Sequence, residues 1–144
     1  MQQESDEIKG ITWFSHQNSP SRGDYLSAYF GSTAGSAEGY PLRLKLRYQG
    51  ENWLFFRSVT VKADAQIFEL AELDVERDNS GGVVWEWADF ALEDHPMLEA
   101  WLNAERVVVR FNGDKYYHDL VVPRAQLNQL REVYQAWQAM GGKP

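Results

Sequence analysis

The chain has 144 residues, enough for one domain with its own core and too few for two of ordinary size. Its formal net charge of -7 opposes a phosphate backbone, which is bound through a field of lysine and arginine that releases counterions, so nucleic acid is not an expected partner. The absence of cysteine excludes a disulfide framework, a thiolate nucleophile and any sulfur-based zinc site.

No apolar run approaches the roughly 18 to 20 residues that cross a bilayer, so no transmembrane segment is expected. The chain reads as soluble, cytoplasmic or, had a signal segment been removed, of the cell envelope. Residues 1 to 10 are polar and acidic with nothing to bury, and are expected to form a flexible leader. Ile11 to His16 reads as a short aromatic and β-branched strand, Gln17 to Asp24 as a loop punctuated by Pro20 and Gly23, and Tyr25 to Ser32 as a second strand. After a Gly-rich connection, Leu42 to Gly50 alternates leucines at 42, 44 and 46 with cations at 43, 45 and 47. That is a half-buried strand with leucines inward. Arg43, Lys45 and Arg47 are expected to pair with acids on a neighbouring strand, with the 72 to 78 segment as a candidate.

Trp53 to Ala63, Gln66 to Leu70, Glu72 to Asp78 and Val83 to Phe90 continue as strands, so the first two thirds of the chain read as an antiparallel meander. Glu93 to Glu105 reads as a helix, with Asp94 placed to cap it and Pro96 in its first turn. Asn112-Gly113 between two β-rich runs is a hairpin signal of type I′. A closing helix places Leu127, Leu130, Tyr134 and Trp137 on one face and ends at Gly141-Gly142. Together these elements give an α+β fold, mainly antiparallel sheet folded as a sandwich or strongly curved sheet, with helices near 94–104 and 124–140. The organisation expected is a leader, 1–10, followed by a single domain, 11–144.

The most suggestive stretch for chemistry is "VVWEWADF", Val83 to Phe90. Strand alternation sends Val83, Trp85 and Trp87 to one face and Val84, Glu86 and Ala88 to the other. Such a tryptophan pair more often fills a core than stacks on a ligand, and in that case Glu86 faces solvent. A glycan hydrolase needs two carboxylates opposed across a cleft, for which Glu86, Asp89, Glu93 and Asp94 are candidates. Asp74, Glu76 and Asp78 stand at positions 1, 3 and 5 of a calcium loop, but Asn79 and Trp85 occupy the positions that require Gly and Glu. His16, His95 and His118 show no metal-ligand spacing. No metal or cofactor is expected. Tyr116, Tyr117, His118 and Asp119 form the other polar and aromatic cluster, although His118 and Asp119 point to opposite faces of a strand.

Trp13-Phe14, the run from Tyr48 through Phe55 and the run from Val109 through Asp119 resemble the W-[FY] start, the Y-x-G-x-x-W-[LI]-F strand turn and the V-R-F-x-G-x-x-Y-Y-x-D hairpin of an uncharacterised bacterial β-rich domain family. The resemblance implies a small β-rich module, some members being exported or lipid-anchored, with no established activity to carry over. The functional expectation is a non-catalytic bacterial binding or interaction module for a protein or glycan ligand. Its contact surface would be drawn from Trp85, Trp87, Tyr116, Tyr117, His118 and Asp119, with Tyr25 and Tyr29 as further exposed aromatics. The alternative is a glycan-acting hydrolase using Glu86 or Asp89, and self-association through a sheet edge is a third use of such a fold.

Overall fold

Hydrophobic alternation builds most of the fold. The structure, a computed structural model, describes residues 1–144. The ten strands are β1 (Gln2–Asp6), β2 (Ile11–Ser15), β3 (Tyr25–Ser32), β4 (Leu42–Gly50), β5 (Ser58–Ala63), β6 (Gln66–Leu70), β7 (Val75–Ser80), β8 (Val83–Ala91), β9 (Val107–Asn112) and β10 (Tyr117–Val121). The helices are α1 (His95–Asn103) and α2 (Arg124–Ala139). All strand pairs are antiparallel, in a six-stranded sheet of order β1-β2-β3-β4-β8-β7 and a four-stranded sheet of order β10-β9-β5-β6. The fold class is α+β, with one sheet strongly curled.

The chain is a meander only through β4. It then leaves for the second sheet as β5 and β6, and returns as β7 and β8, so that β8 pairs with β4. Residues 1 to 10, read from composition as a flexible leader, instead form an edge strand and its turn. Gln2 to Asp6 pair with Ile11 to Ser15 through backbone groups, which need no apolar side chain.

One core lies between the sheets and the helices. Leu26, Ala28 and Phe30 of β3, Leu42, Leu44 and Leu46 of β4, and Val84 and Ala88 of β8 face Val59, Val61, Val107, Val109 and Phe111 of the second sheet. Helix α2 closes the β3 side with Leu127, Leu130, Val133 and Trp137, and the Trp137 indole donates to the Tyr40 carbonyl at 2.8 Å. Helix α1 is capped by Asp94, which accepts from Met97 N at 3.0 Å, and carries a proline in its first turn.

Two local readings change. The strand expected from Trp53 begins at Ser58, because the backbone of residues 54 to 56 donates its N–H groups to Glu86 and Phe55 takes a positive φ of 57°. The Asn-Gly pair is not a two-residue turn. Asn112 is the last residue of β9, paired with Tyr117, and Gly113 N donates to Tyr116 O. A Cβ on Gly113 would stand 2.4 Å from the Leu54 carbonyl oxygen, so glycine is required for close approach here.

Candidate ligand-binding face

The alternation of β8 is as the sequence implies, but the faces are reversed. Val84, Glu86 and Ala88 are buried, while Trp85 and Trp87 lie half-buried on the outer face of the six-stranded sheet. The expectation of core tryptophans and a solvated Glu86 is therefore overturned. Glu86 is 0 % exposed and its carboxylate is saturated. Oε2 accepts from Leu54 N at 2.7 Å and Phe55 N at 3.0 Å, and Oε1 accepts from Phe56 N and from Arg77 Nε, both at 3.0 Å. Four charge-assisted hydrogen bonds offset the cost of burying the charge.

The outer face is built from rows of residues in register. Tyr25 on β3 lies beside Arg47 on β4, then Trp87 on β8 and Glu76 on β7. Gln49, Trp85 and Asp78 form the adjacent row. The second sheet and the helices pack on the other side of the sheet, so what reaches over these rows is the loop between β2 and β3, anchored by Arg47 Nη1 donating to Gly23 O at 2.9 Å. Lys45 stands over the rings of Tyr25 and Trp87 at 6.0 and 5.9 Å, and Arg47 stands over Tyr25 and Trp85 at 5.9 and 5.5 Å. The cations are interleaved with the rings, a geometry in which each cation meets the electron-rich face of an aromatic.

A shallow pocket of about 590 Å³ opens on this face, lined by Ser21, Arg22, Tyr25, Lys45, Arg47, Gln49, Ser80, Val83, Trp85 and Trp87. Three of these residues are cationic and none is acidic. Of the stripe Arg43, Lys45 and Arg47, only Arg43 has the expected carboxylate, and it comes from Asp89 on β8 rather than from residues 72 to 78. Arg43 Nε donates to Asp89 Oδ1 at 3.0 Å, and the Tyr29 hydroxyl donates to Asp89 Oδ2. Burial, with the Asp89 hydrogen bond adding to it, pushes the Tyr29 hydroxyl up to about 12. Arg47, 8 % exposed, has no carboxylate partner, and burial lowers the pKa of its guanidinium below the ordinary value.

Glu86 and Asp89, the carboxylates on which the hydrolase alternative rests, do not face one another. Glu86 points inward and Asp89 outward from the same strand, each already bonded, and Asp94 caps α1. Nor do Tyr116 to Asp119 form one cluster. His118 turns inward, with Nε2 2.6 Å from Asp24 Oδ2, while Asp24 Oδ1 accepts from Gln49 N at 2.8 Å, so this pair links the two sheets. Asp119 faces outward and holds Arg110 through Nε at 2.7 Å and Nη2 at 2.9 Å. That guanidinium lies 3.9 Å over the ring of Tyr117. Tyr116 and Tyr117 are exposed. Asp119 and Arg110 also line a groove of about 470 Å³ on the outer face of the second sheet, away from the tryptophans.

Arg22, Arg47 and Gln49 were not singled out in the sequence as parts of the tryptophan site. The β4-β8 register sets Arg47 beside Trp87 and Gln49 beside Trp85, and Arg22 reaches the pocket from the loop between β2 and β3. No protein-family model, curated protein or solved structure matches the chain.

Proposed function

We propose that the protein is a non-catalytic binding module that holds a saccharide against Trp85 and Trp87 on the outer face of the six-stranded sheet. The observation that carries this reading is the pocket itself: the half-buried rings of Trp85 and Trp87 with Lys45 and Arg22 along a sheet face not covered by the second sheet or the helices, above Tyr25 and Arg47, which are buried beneath them, Tyr25 against the expectation of an exposed ring. Trp85 and Trp87 are half-buried on this face and offer part of their rings to a ligand. The apolar C–H face of a sugar ring, carrying partial positive charge, suits the negative face of an indole.

Self-association through β7 is the weaker use of this fold. β7 is an edge strand, but it carries Glu76, Arg77 and Asp78, charges that oppose pairing with a second copy.

The test is binding of wild type and of Trp85→Ala and Trp87→Ala variants to a panel of immobilised oligosaccharides. Retention of wild type with a loss of about tenfold or more in each variant, folding being unchanged, supports the reading. Failure of wild type to bind any saccharide, or binding that ignores both substitutions, contradicts it.

A further inference from the structure

Arg43, Arg77 and Arg110 each meet a carboxylate through Nε. Arg47 does not. Its Nη1 is held by two neutral acceptors, Gly23 O at 2.9 Å and Gln49 Oε1 at 2.7 Å, while Nε and Nη2 have no acceptor in the protein. Trp101 Nε1 is the one fully buried side-chain nitrogen or oxygen without a partner, so both free nitrogens of Arg47 keep some contact with solvent, and the residue lines the tryptophan pocket.

The same pair of atoms shows its use elsewhere in the molecule. Arg110 applies Nε and Nη2 as a fork to the two oxygens of Asp119, at 2.7 and 2.9 Å. A planar carboxylate fits that fork with two parallel hydrogen bonds, whereas lysine offers only a point charge. Arg47 thus keeps, in a nine-tenths buried position, the same two nitrogens that Arg110 uses, without an acceptor of their own, and it lines a pocket with Lys45 and Arg22 whose lining includes no acid.

We infer that the pocket takes a carboxylated sugar ring, with the carboxylate on the free edge of Arg47 and the ring against Trp85 or Trp87, so that the ligand is an acidic glycan. This rests on the saccharide-binding reading above. The positive field is local. Glu76 and Asp78 stand in register beside Trp87 and Trp85, and the chain as a whole carries a net charge of -7. A single carboxylate is accommodated there. A phosphate backbone, charged at every step, would have to run over those acids against the overall repulsion.

The experiment is calorimetric titration with matched pairs of oligosaccharides that differ only in a terminal glucuronate or glucose, together with oligothymidylate as the nucleic-acid probe. The inference predicts at least tenfold tighter binding of the glucuronate member of a pair, weakened by added salt. Arg47→Lys, which keeps the charge and loses the fork, should lose most of that preference. Lys45→Met, at a position with no hydrogen bond to break, should weaken the glucuronate form more than the glucose form and so narrow the gap between the members of a pair, and an undiminished gap in a folded Lys45→Met variant would count against the inference, which keeps the test intact if Arg47→Lys fails to fold. Equal binding of both members, still dependent on Trp87, would overturn the acidic-glycan inference and leave the saccharide-binding reading standing. Binding of neither member of any pair, or preferential binding of oligothymidylate, would overturn both.

Discussion

Arg77 and Glu86 face one another across β7 and β8, Nε to Oε1 at 3.0 Å, and the carboxylate they share also fixes the backbone of Leu54, Phe55 and Phe56. Arg77 adds a bond from Nη2 to the Phe56 carbonyl at 3.0 Å. One buried acid thus joins the end of the six-stranded sheet to the irregular segment that leads into β5. It also determines which way β8 faces, and so places both tryptophans outside.

Replacing Glu86 by Gln keeps the shape and turns one acceptor into a donor aimed at N–H groups. It also leaves Arg77 without its counter-charge. A loss of about 3–5 kcal/mol is expected, the range for breaking one side of a buried charged network. Urea unfolding of E86Q measures it, and a loss below about 1 kcal/mol would mean that the 54 to 56 segment is held by something else.

Tyr29 titrates late because burial disfavours its anion and Asp89 accepts its proton-bearing hydroxyl. The folded value, about 12, lies above the ordinary 10.0. Its stabilising contribution is therefore complete below pH 10 and is lost as pH rises from there through about 12. Tyr48 and Tyr134 are also raised by burial, so tyrosinate absorbance should show a late-ionising component in both proteins, smaller by one tyrosine in Tyr29→Phe. Identical titration curves for the two proteins would contradict the Tyr29–Asp89 contact.

Asp119 moves in the other direction. The hydrogen bonds from Arg110 hold its carboxyl below the ordinary 3.8, with His118 adding a smaller effect of the same sign. Its contribution is present above that ordinary value and disappears as pH falls through the lowered folded value. Carboxyl-carbon NMR should place the Asp119 midpoint below that of an unperturbed aspartate, and Arg110→Met should return it towards the ordinary value. An unchanged midpoint in the variant would break the assignment.

Much of the fold was legible. Leu42 to Gly50 and Tyr25 to Ser32 were readable as strands from local alternation alone, and Asp94 with Pro96 marked the start of α1. The orientation of β8 was not. Alternation separates Trp85 and Trp87 from Glu86 but does not say which set meets the core. That is decided by Arg77 and by three N–H groups some 30 residues upstream, whose availability follows from an irregular backbone with no sequence signature. The edge strand β1 was missed for a related reason, since it is held by backbone pairing rather than by side-chain burial. At the site, the two tryptophans were visible in the sequence, while Arg47 emerged only when register set it beside them.

The most direct measurement is acrylamide quenching of tryptophan fluorescence in wild type, Trp85→Phe and Trp87→Phe, with urea unfolding of each. The account predicts that each substitution removes a readily quenched component at a stability cost of about 1 kcal/mol or less, because these rings face outward while Trp101 and Trp137 stay shielded in the core. No loss of a quenchable component, together with destabilisation of about 3 kcal/mol or more, would place the tryptophans in the core and remove the binding face on which the functional reading stands.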